Sequence, residues 1–141
     1  MENNFIITTK KDLIITASVG IVSPVADLNI YYLIKNKRGW DIPGGCVKKN
    51  EKPYETFERE LKEEIGSTLQ NIVYVATLES KSKPGTGISV YYGTCCKEKF
   101  EPSKEVSHIK LLNRKEATEY YFGDKNILSS LFDLCEKIKK N

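Results

Sequence analysis

The alternation of hydrophobic and polar positions along the chain predicts several short strands and two helices. Runs rich in β-branched and aromatic residues that end at turn residues are typical of strands. They predict strands over residues 12–22, 28–35, 71–78, 88–95 and 106–112, with a Gly-Pro-rich loop over 40–46. Helical composition and spacing predict helices over 53–65 and 126–138. This order indicates an α/β fold in which an early and a terminal helix cover a mostly mixed sheet.

The helix predicted over 53–65 has a distinct buried side. Pro53 lies in its first turn and Gly66 just past its end, which is where helices tolerate these two residues best. At about 100° per residue, Phe57, Leu61 and Ile65 recur on one stripe. We expect this stripe to face the core.

The two flanks of that stripe differ in charge. Glu60, Glu63 and Glu64 share one flank at spacings i, i+3 and i+4, whereas Glu58 and Lys62 on the other flank can pair. Like charges at these spacings cost an isolated helix roughly 0.2–0.5 kcal/mol per pair. A hard divalent cation such as Mg²⁺ would offset this cost, because it prefers carboxylate oxygens. An ordinary acidic surface helix is the alternative.

The segment before the helix favours the metal hypothesis. Gly44 and Gly45 allow backbone conformations that side chains forbid, so a carbonyl or amide there can approach an ion or a phosphate closely. Glu51 lies between these glycines and the helix, and Arg59 lies one turn before Glu63, where it could orient a carboxylate. A Gly-Gly loop alone would indicate only a turn.

Composition limits the other classes of function. The 141 residues suit one domain, and 40% hydrophobic residues can form a core. A net charge of +3 is too weak to indicate a nucleic-acid-binding protein, although it fits a polyanionic small molecule or a solvated surface. No apolar run approaches a membrane span, and no signal-peptide core follows the polar start. We therefore expect a cytoplasmic protein that does not enter a membrane.

The cysteines and the single histidine do not indicate a site. No pair of cysteines has the C-x-x-C spacing of a zinc or redox motif. We expect free thiols at Cys46, Cys95, Cys96 and Cys135. His108 is the only histidine, and nothing near it supports a Ser-His-Asp triad.

These residues together resemble the signature box of the Nudix hydrolases. The matching pattern is Gly45-x5-Glu51-x7-Arg59-Glu60-Leu61-x-Glu63-Glu64-x-Gly66. At average residue usage such a match has a chance on the order of one in 10⁹ per starting position. Two positions depart from the family: Ser67 replaces an aliphatic residue, and Lys52 stands where a Ser or Thr helix cap is expected.

The resemblance implies one Nudix domain over residues 1–141, an α/β/α sandwich in which the box forms a loop-helix-loop. The implied reaction is attack of water on one phosphorus of a nucleoside diphosphate derivative, with Mg²⁺, or alternatively Mn²⁺, as the cofactor. Carried over by position, Glu60, Glu63 and Glu64 are the metal ligands, and the carbonyl of Gly44 or Gly45 can add another. Arg59, with Glu51, would hold a box glutamate in place.

Two roles stay open between alternatives. The general base is either Glu60 of the helix or Glu105 of a later loop, because family members differ in this respect. Beside the substrate-binding glycines Gly44 and Gly45, Arg38 is the candidate for phosphate contact. Other cations that could touch phosphates, or simply be solvated, are Lys37, Lys48, Lys81 and Lys83.

The size of the chain favours the mutator-type group, which acts on nucleoside triphosphates, including oxidised ones. ADP-ribose or another dinucleotide is an alternative; that group carries a proline some way beyond the box, and Pro84 lies in about that region but not at a matching spacing. An RNA 5′ end and a non-catalytic nucleotide-binding module are further alternatives. The box carboxylates, all present here, argue against the module. Base selectivity and oligomeric state are left open by the sequence.

Overall fold

The computed structural model describes residues 4–96 and 98–140. Its strands are β1 (Phe5–Thr8), β2 (Ile14–Pro24), β3 (Ile30–Asn36), β4 (Gly39–Asp41), β5 (Gly44–Cys46), β6 (Leu69–Ser80), β7 (Thr86–Cys95) and β8 (His108–Asn113). Its helices are α1 (Pro53–Ile65), α2 (Arg114–Tyr120) and α3 (Lys125–Lys139). Within the described ranges, no helix is both long and apolar enough to span a membrane.

The strands form two sheets. The larger sheet has the order β1-β6-β7-β2-β5, in which β2 and β7 are parallel and the other neighbours are antiparallel. The smaller sheet is antiparallel, with the order β4-β3-β8. A parallel pair needs a long crossover connection, and here α1 lies on the path from β2 to β7.

Each face of these sheets packs against a different helix. Because successive residues of a strand point to opposite faces, Ile21 belongs to the core under α3 and its neighbour Val22 to the core under α1. Tyr31 and Tyr32 on β3 divide in the same way. Helices on both sides of the sheets make an α/β/α sandwich with a mixed sheet and a C-terminal helix, which confirms the predicted fold class.

The sequence located the long elements and missed the small ones. The bounds of α1 are those predicted, and the ends of the five predicted strands differ by no more than two residues. The predicted loop over 40–46 overlaps β4 and contains β5, which form because they pair with β3 and β2, respectively. Strand β1 and helix α2 were also missed, since each is too short to show a period.

A backbone hydrogen bond caps the C-terminal end of helix α1. Gly66 has a positive φ of 78°, and its N–H donates to the carbonyl of Lys62 at 3.0 Å. A Cβ at Gly66 would lie 2.3 Å from the carbonyl oxygen of Lys99, so both conformation and space require glycine here. At the other end the Lys52 side chain makes no capping hydrogen bond, and its backbone N–H donates to Glu55 Oε1 at 2.9 Å.

A close contact between Phe57 and Gly20 seats α1 on the large sheet. The Phe57 ring is fully buried and stacks on Tyr91 with 5.8 Å between the ring centroids. A Cβ on Gly20 would lie 2.0 Å from Cζ of that ring. Any larger residue at position 20 would therefore push α1 away from β2.

We predict that Gly20→Ala lowers the free energy of unfolding by about 1–3 kcal/mol or more, as overpacking of a core does. Urea denaturation would measure this loss. Phe57→Leu in the Gly20→Ala background should recover part of it, whereas Phe57→Leu alone should destabilise. Purely additive effects in this double-mutant cycle would contradict the contact.

Candidate active site

A cleft of about 590 Å³ collects residues from three parts of the chain. They come from the turn between β3 and β4, from β5 with the facing side of α1, and from the loop before β8. The residues that line it are Asn36, Lys37, Arg38, Gly44, Gly45, Cys46, Glu60, Glu64, Lys104 and Glu105.

The guanidinium of Arg59 connects the signature loop to the helix. It binds the carboxylate of Glu51 in a two-point contact, with Nε–Oε2 at 2.8 Å and Nη2–Oε1 at 3.0 Å. Its Nη1 donates to Glu60 Oε1 at 2.8 Å and lies 3.4 Å from Glu63 Oε2. Nη2 also donates to the carbonyl of Cys46 at 3.1 Å, so one side chain joins β5, the loop and α1.

Glu51 is the fixed partner in this network. Besides Arg59, its Oε1 accepts the hydroxyl of Thr56 at 2.7 Å and the backbone N–H of Lys48 at 3.1 Å. The hydrogen bonds from Arg59, followed by those from Thr56 and Lys48, lower the pKa of Glu51 to about 2. Glu51 therefore stays ionised at neutral pH and holds Arg59 in place.

Glu64 lies in the opposite electrostatic situation. Only 8% of the residue is exposed, and its Oε1 accepts the backbone N–H of Gly44 at 2.9 Å. Burial is the largest cause that raises the pKa of Glu64 to about 8; the negative charges of Glu60, Asp41 and Glu105 also raise it, and the hydrogen bond from Gly44 lowers it. A buried carboxylate surrounded by like charges favours either a proton or a cation.

Glu60 lies directly over Gly45. A Cβ at Gly45 would be 2.5 Å from Oε1 of Glu60, so the carboxylate occupies space that a side chain would need. Burial raises the pKa of Glu60, and Glu63 and Glu105 add to this, while Arg59 lowers it. The preceding residue, Gly44, has a φ of +152°, and a Cβ added there would lie 2.3 Å from the carbonyl oxygen of Ser18.

The third helix carboxylate, Glu63, is half exposed and contacts Arg59. In residues 4–96 and 98–140, no three acidic, histidine or cysteine side chains are arranged to hold a metal ion. Glu60 and Glu63 both point towards Arg59 rather than towards Glu64. Joint ligation of a cation by these three would require Glu60 and Glu63 to turn away from the guanidinium.

The structure separates the candidate cations. Lys37 and Arg38 line the cleft, whereas Lys48, Lys81 and Lys83 do not. The Arg38 guanidinium is already engaged, because it lies 3.3 Å from Asp41 Oδ2 and over the ring of Phe122.

Glu105 lines the cleft, and its charge reaches both Glu60 and Glu64. Three further lining residues, Asn36, Cys46 and Lys104, were missed by the sequence analysis. Each stands next in the sequence to a residue that the sequence analysis named, since Asn36 precedes Lys37, Cys46 follows Gly45 and Lys104 precedes Glu105, and this adjacency was a usable signal.

The geometry agrees with the comparison with known families. The NUDIX domain profile matches residues 17–131, which is more than half of the chain. The chain therefore belongs to the Nudix family. The class of protein predicted from the box, a Nudix pyrophosphohydrolase that acts on phosphorus anhydrides, is confirmed. A comparison with curated protein sequences finds no match.

Several solved structures share the fold at low sequence identity. A mutant of the Bacillus subtilis pyrophosphohydrolase BsRppH has a TM-score of 0.75 at 18% identity, covering 94% of this chain and 90% of that one. A C. elegans Ap4A hydrolase in a binary complex has a TM-score of 0.69 at 15% identity, covering 89% and 99%. A MutT protein from Bacillus halodurans has a TM-score of 0.58 at 24% identity, covering 80% and 78%. Such identities show a common fold and not a common substrate.

We predict that metal-free protein loses stability as the pH rises from about 4.5 to about 8, the usual and the raised pKa of Glu64. In this window the folded state keeps a proton that the unfolded state has released, so the free energy of unfolding falls with increasing pH. Urea denaturation in EDTA at several pH values would measure the slope. Glu64→Gln is the control and should flatten it; an equal slope in the variant would contradict the assignment.

Proposed function

We propose that this chain is a metal-dependent pyrophosphohydrolase that cleaves a diphosphate linkage in a nucleoside diphosphate derivative. The observation that carries the proposal is the placement of the Glu60 and Glu64 carboxylates beside Gly44 and Gly45, in a cleft of about 590 Å³. Membership of the Nudix family supports the same bond class.

Mg²⁺, or alternatively Mn²⁺, is the proposed cofactor. The residues that would hold it are Glu60, Glu63 and Glu64 with the carbonyl of Gly44, a set of oxygen donors that suits hard cations. Glu64 suits a cation ligand, because its carboxylate is buried and accepts a single backbone hydrogen bond, from Gly44, among the described residues. A cation there would replace the hydration that burial removes from the charged form.

The cofactor, when bound, would neutralise phosphate oxygens and polarise the phosphorus that is attacked. The protein groups have separate tasks in this proposal. Glu51 holds Arg59, and Arg59 in turn positions Glu60. Glu60 and Glu105 both face the cleft, so either can take the proton from the attacking water.

The proposed substrate is a nucleoside triphosphate, including oxidised ones, bound as a small molecule with Arg38, Gly44 and Gly45 near its phosphates. The structural neighbours include a pyrophosphohydrolase, an Ap4A hydrolase, a UDP-X diphosphatase and a MutT protein. Their names support cleavage of a diphosphate linkage, but they point to several different substrates. ADP-ribose, other dinucleotides and an RNA 5′ end therefore belong in the same assay. A cytoplasmic location and a single domain over residues 1–141 stay predictions.

We predict that millimolar Mg²⁺ or Mn²⁺ raises the melting temperature, because a ligand that binds only the folded state stabilises it. The gain is about 2.7 kcal/mol at a concentration 100 times the dissociation constant. Differential scanning fluorimetry with and without EDTA would measure the shift. Glu63→Gln, at a half-exposed position, should reduce the shift without unfolding the protein. An unchanged melting temperature with both metals would exclude the proposed metal site.

We predict that Glu64→Gln lowers kcat/KM by at least about 100-fold, the lower end of what removal of a group acting in the transition state costs. The fold should persist, because the glutamine carbonyl can still accept the N–H of Gly44. A phosphate-release assay would measure this, coupled to inorganic pyrophosphatase for triphosphates and to alkaline phosphatase for the phosphomonoester products of dinucleotides and sugar nucleotides. Glu58→Gln on the other flank of α1 is the matched control and should retain activity.

The same assay separates the two candidate bases. Glu105→Gln should cost at least about 100-fold in kcat if Glu105 accepts the proton; near-normal turnover would assign that role to Glu60. Tight nucleotide binding by calorimetry without turnover of any compound would instead favour the non-catalytic module. Near-normal turnover by Glu64→Gln would place the reaction elsewhere.

A further inference from the structure

Two turns lie side by side at one edge of the small sheet. Strands β3 and β8 are antiparallel, with Lys35 opposite His108, so the turn that follows β3 and the segment that precedes β8 are neighbours. The backbone N–H of Ser107 extends this pairing by donating to the carbonyl of Lys35 at 2.9 Å. Both turns contribute to the wall of the cleft that does not belong to β5 and α1.

The second of these turns, residues 103–106, is a closed and anchored unit. The N–H of Ser103 donates to the carbonyl of Val106 at 2.8 Å, and the N–H of Val106 donates to Ser103 Oγ at 3.1 Å. Val106 is 2% exposed and packs in the core under α1. Lys104 and Glu105 are the two central residues, and both line the cleft.

The first turn presents a lysine in the same way. Its backbone is fixed because the N–H of Arg38 donates to Asn36 Oδ1 at 2.9 Å. Arg38 already pairs with Asp41 and lies over Phe122, whereas the neighbouring Lys37 adds a second cation to this turn. Among the ion pairs of the described residues, none involves Lys37 or Lys104.

We propose that Lys37 and Lys104 form a phosphate clamp that makes the site selective for nucleotides with three or more phosphates. This inference rests on the proposed function. The carboxylates of α1 and the backbone of β5 would serve the scissile linkage, while the clamp would contact the additional anionic phosphate of a longer phosphate chain. A sugar nucleotide would bring a neutral sugar to these two ammonium groups, which would then gain no ionic contact.

The clamp is tested by steady-state kinetics with dGTP and GDP-mannose in Mg²⁺, using Lys37→Ala, Lys104→Ala and the double variant. For dGTP we expect KM to rise about 3-fold in each single variant and about 10-fold in the double variant, the range of exposed ion pairs, with kcat within about 2-fold. For GDP-mannose we expect KM to change by less than about 2-fold. The salt dependence of KM for dGTP should also weaken.

Two further variants serve as controls. Lys104→Arg keeps the charge and should keep KM for dGTP near the wild-type value. Lys83→Ala removes a lysine between β6 and β7 that does not line the cleft, and it should leave KM for both substrates unchanged. An equal rise of KM for both substrates, or no rise for either, would overturn the clamp.

Binding keeps this test separate from that of the proposed function. If the wild-type protein turns over neither these two compounds nor any other substrate of the phosphate-release assay, the proposed function fails, and calorimetry with dGTP and GDP-mannose still decides the clamp. A dissociation constant for dGTP that rises about 10-fold in the double variant, with that for GDP-mannose unchanged, supports the clamp. An unchanged constant for dGTP overturns it.

Discussion

The site depends on how closely α1 can approach the large sheet. The Phe57 ring packs against Gly20, and the carboxylate of Glu60 packs against Gly45. In both places the side chain occupies the space that a Cβ on the glycine would need. Only glycine permits these approaches, and they bring the acidic flank of α1 to the backbone of β5. The Gly44 N–H then reaches Glu64, and Arg59 reaches the carbonyl of Cys46. Packing of one helix thus sets the geometry of the chemical groups.

Charge in the site is balanced by one arginine. Arg59 contacts Glu51, Glu60 and Glu63, so it offsets much of the repulsion on the acidic flank. Glu64 receives none of this compensation and is buried, which is why the pKa of Glu64 is raised. Neighbouring carboxylates therefore differ: the lowered pKa of Glu51 keeps it ionised at neutral pH, whereas the raised pKa of Glu64 favours binding of a proton or a cation. This difference fits the positioning role proposed for Glu51 and the metal-ligand role proposed for Glu64.

The two walls of the cleft have different origins. One wall is formed by the carboxylates of α1 and the backbone of β5, two elements that lie close together in the sequence. The other wall, which carries Lys37 and Lys104, is formed by two turns about seventy residues apart, which become neighbours because β3 pairs with β8. In the proposed function, the first wall determines which bond is cleaved. In the proposed clamp, Lys37 and Lys104 of the second wall would contact the part of the substrate that distinguishes one phosphorylated compound from another.

The sequence by itself determined the bounds of α1, its buried stripe, its acidic flank and the family. All of these depend on the spacing of residues within one short segment. It also nominated Glu105 and Arg38, without their surroundings. Tertiary structure alone decided that β4 and β5 form, that Glu64 is buried, that Arg38 is held by Asp41 and that Lys104 joins the site. The physical reason is that the spacing of apolar residues within one element shows which side of it is buried. Which other residues lie beside that element depends on pairing between strands that are distant in the sequence.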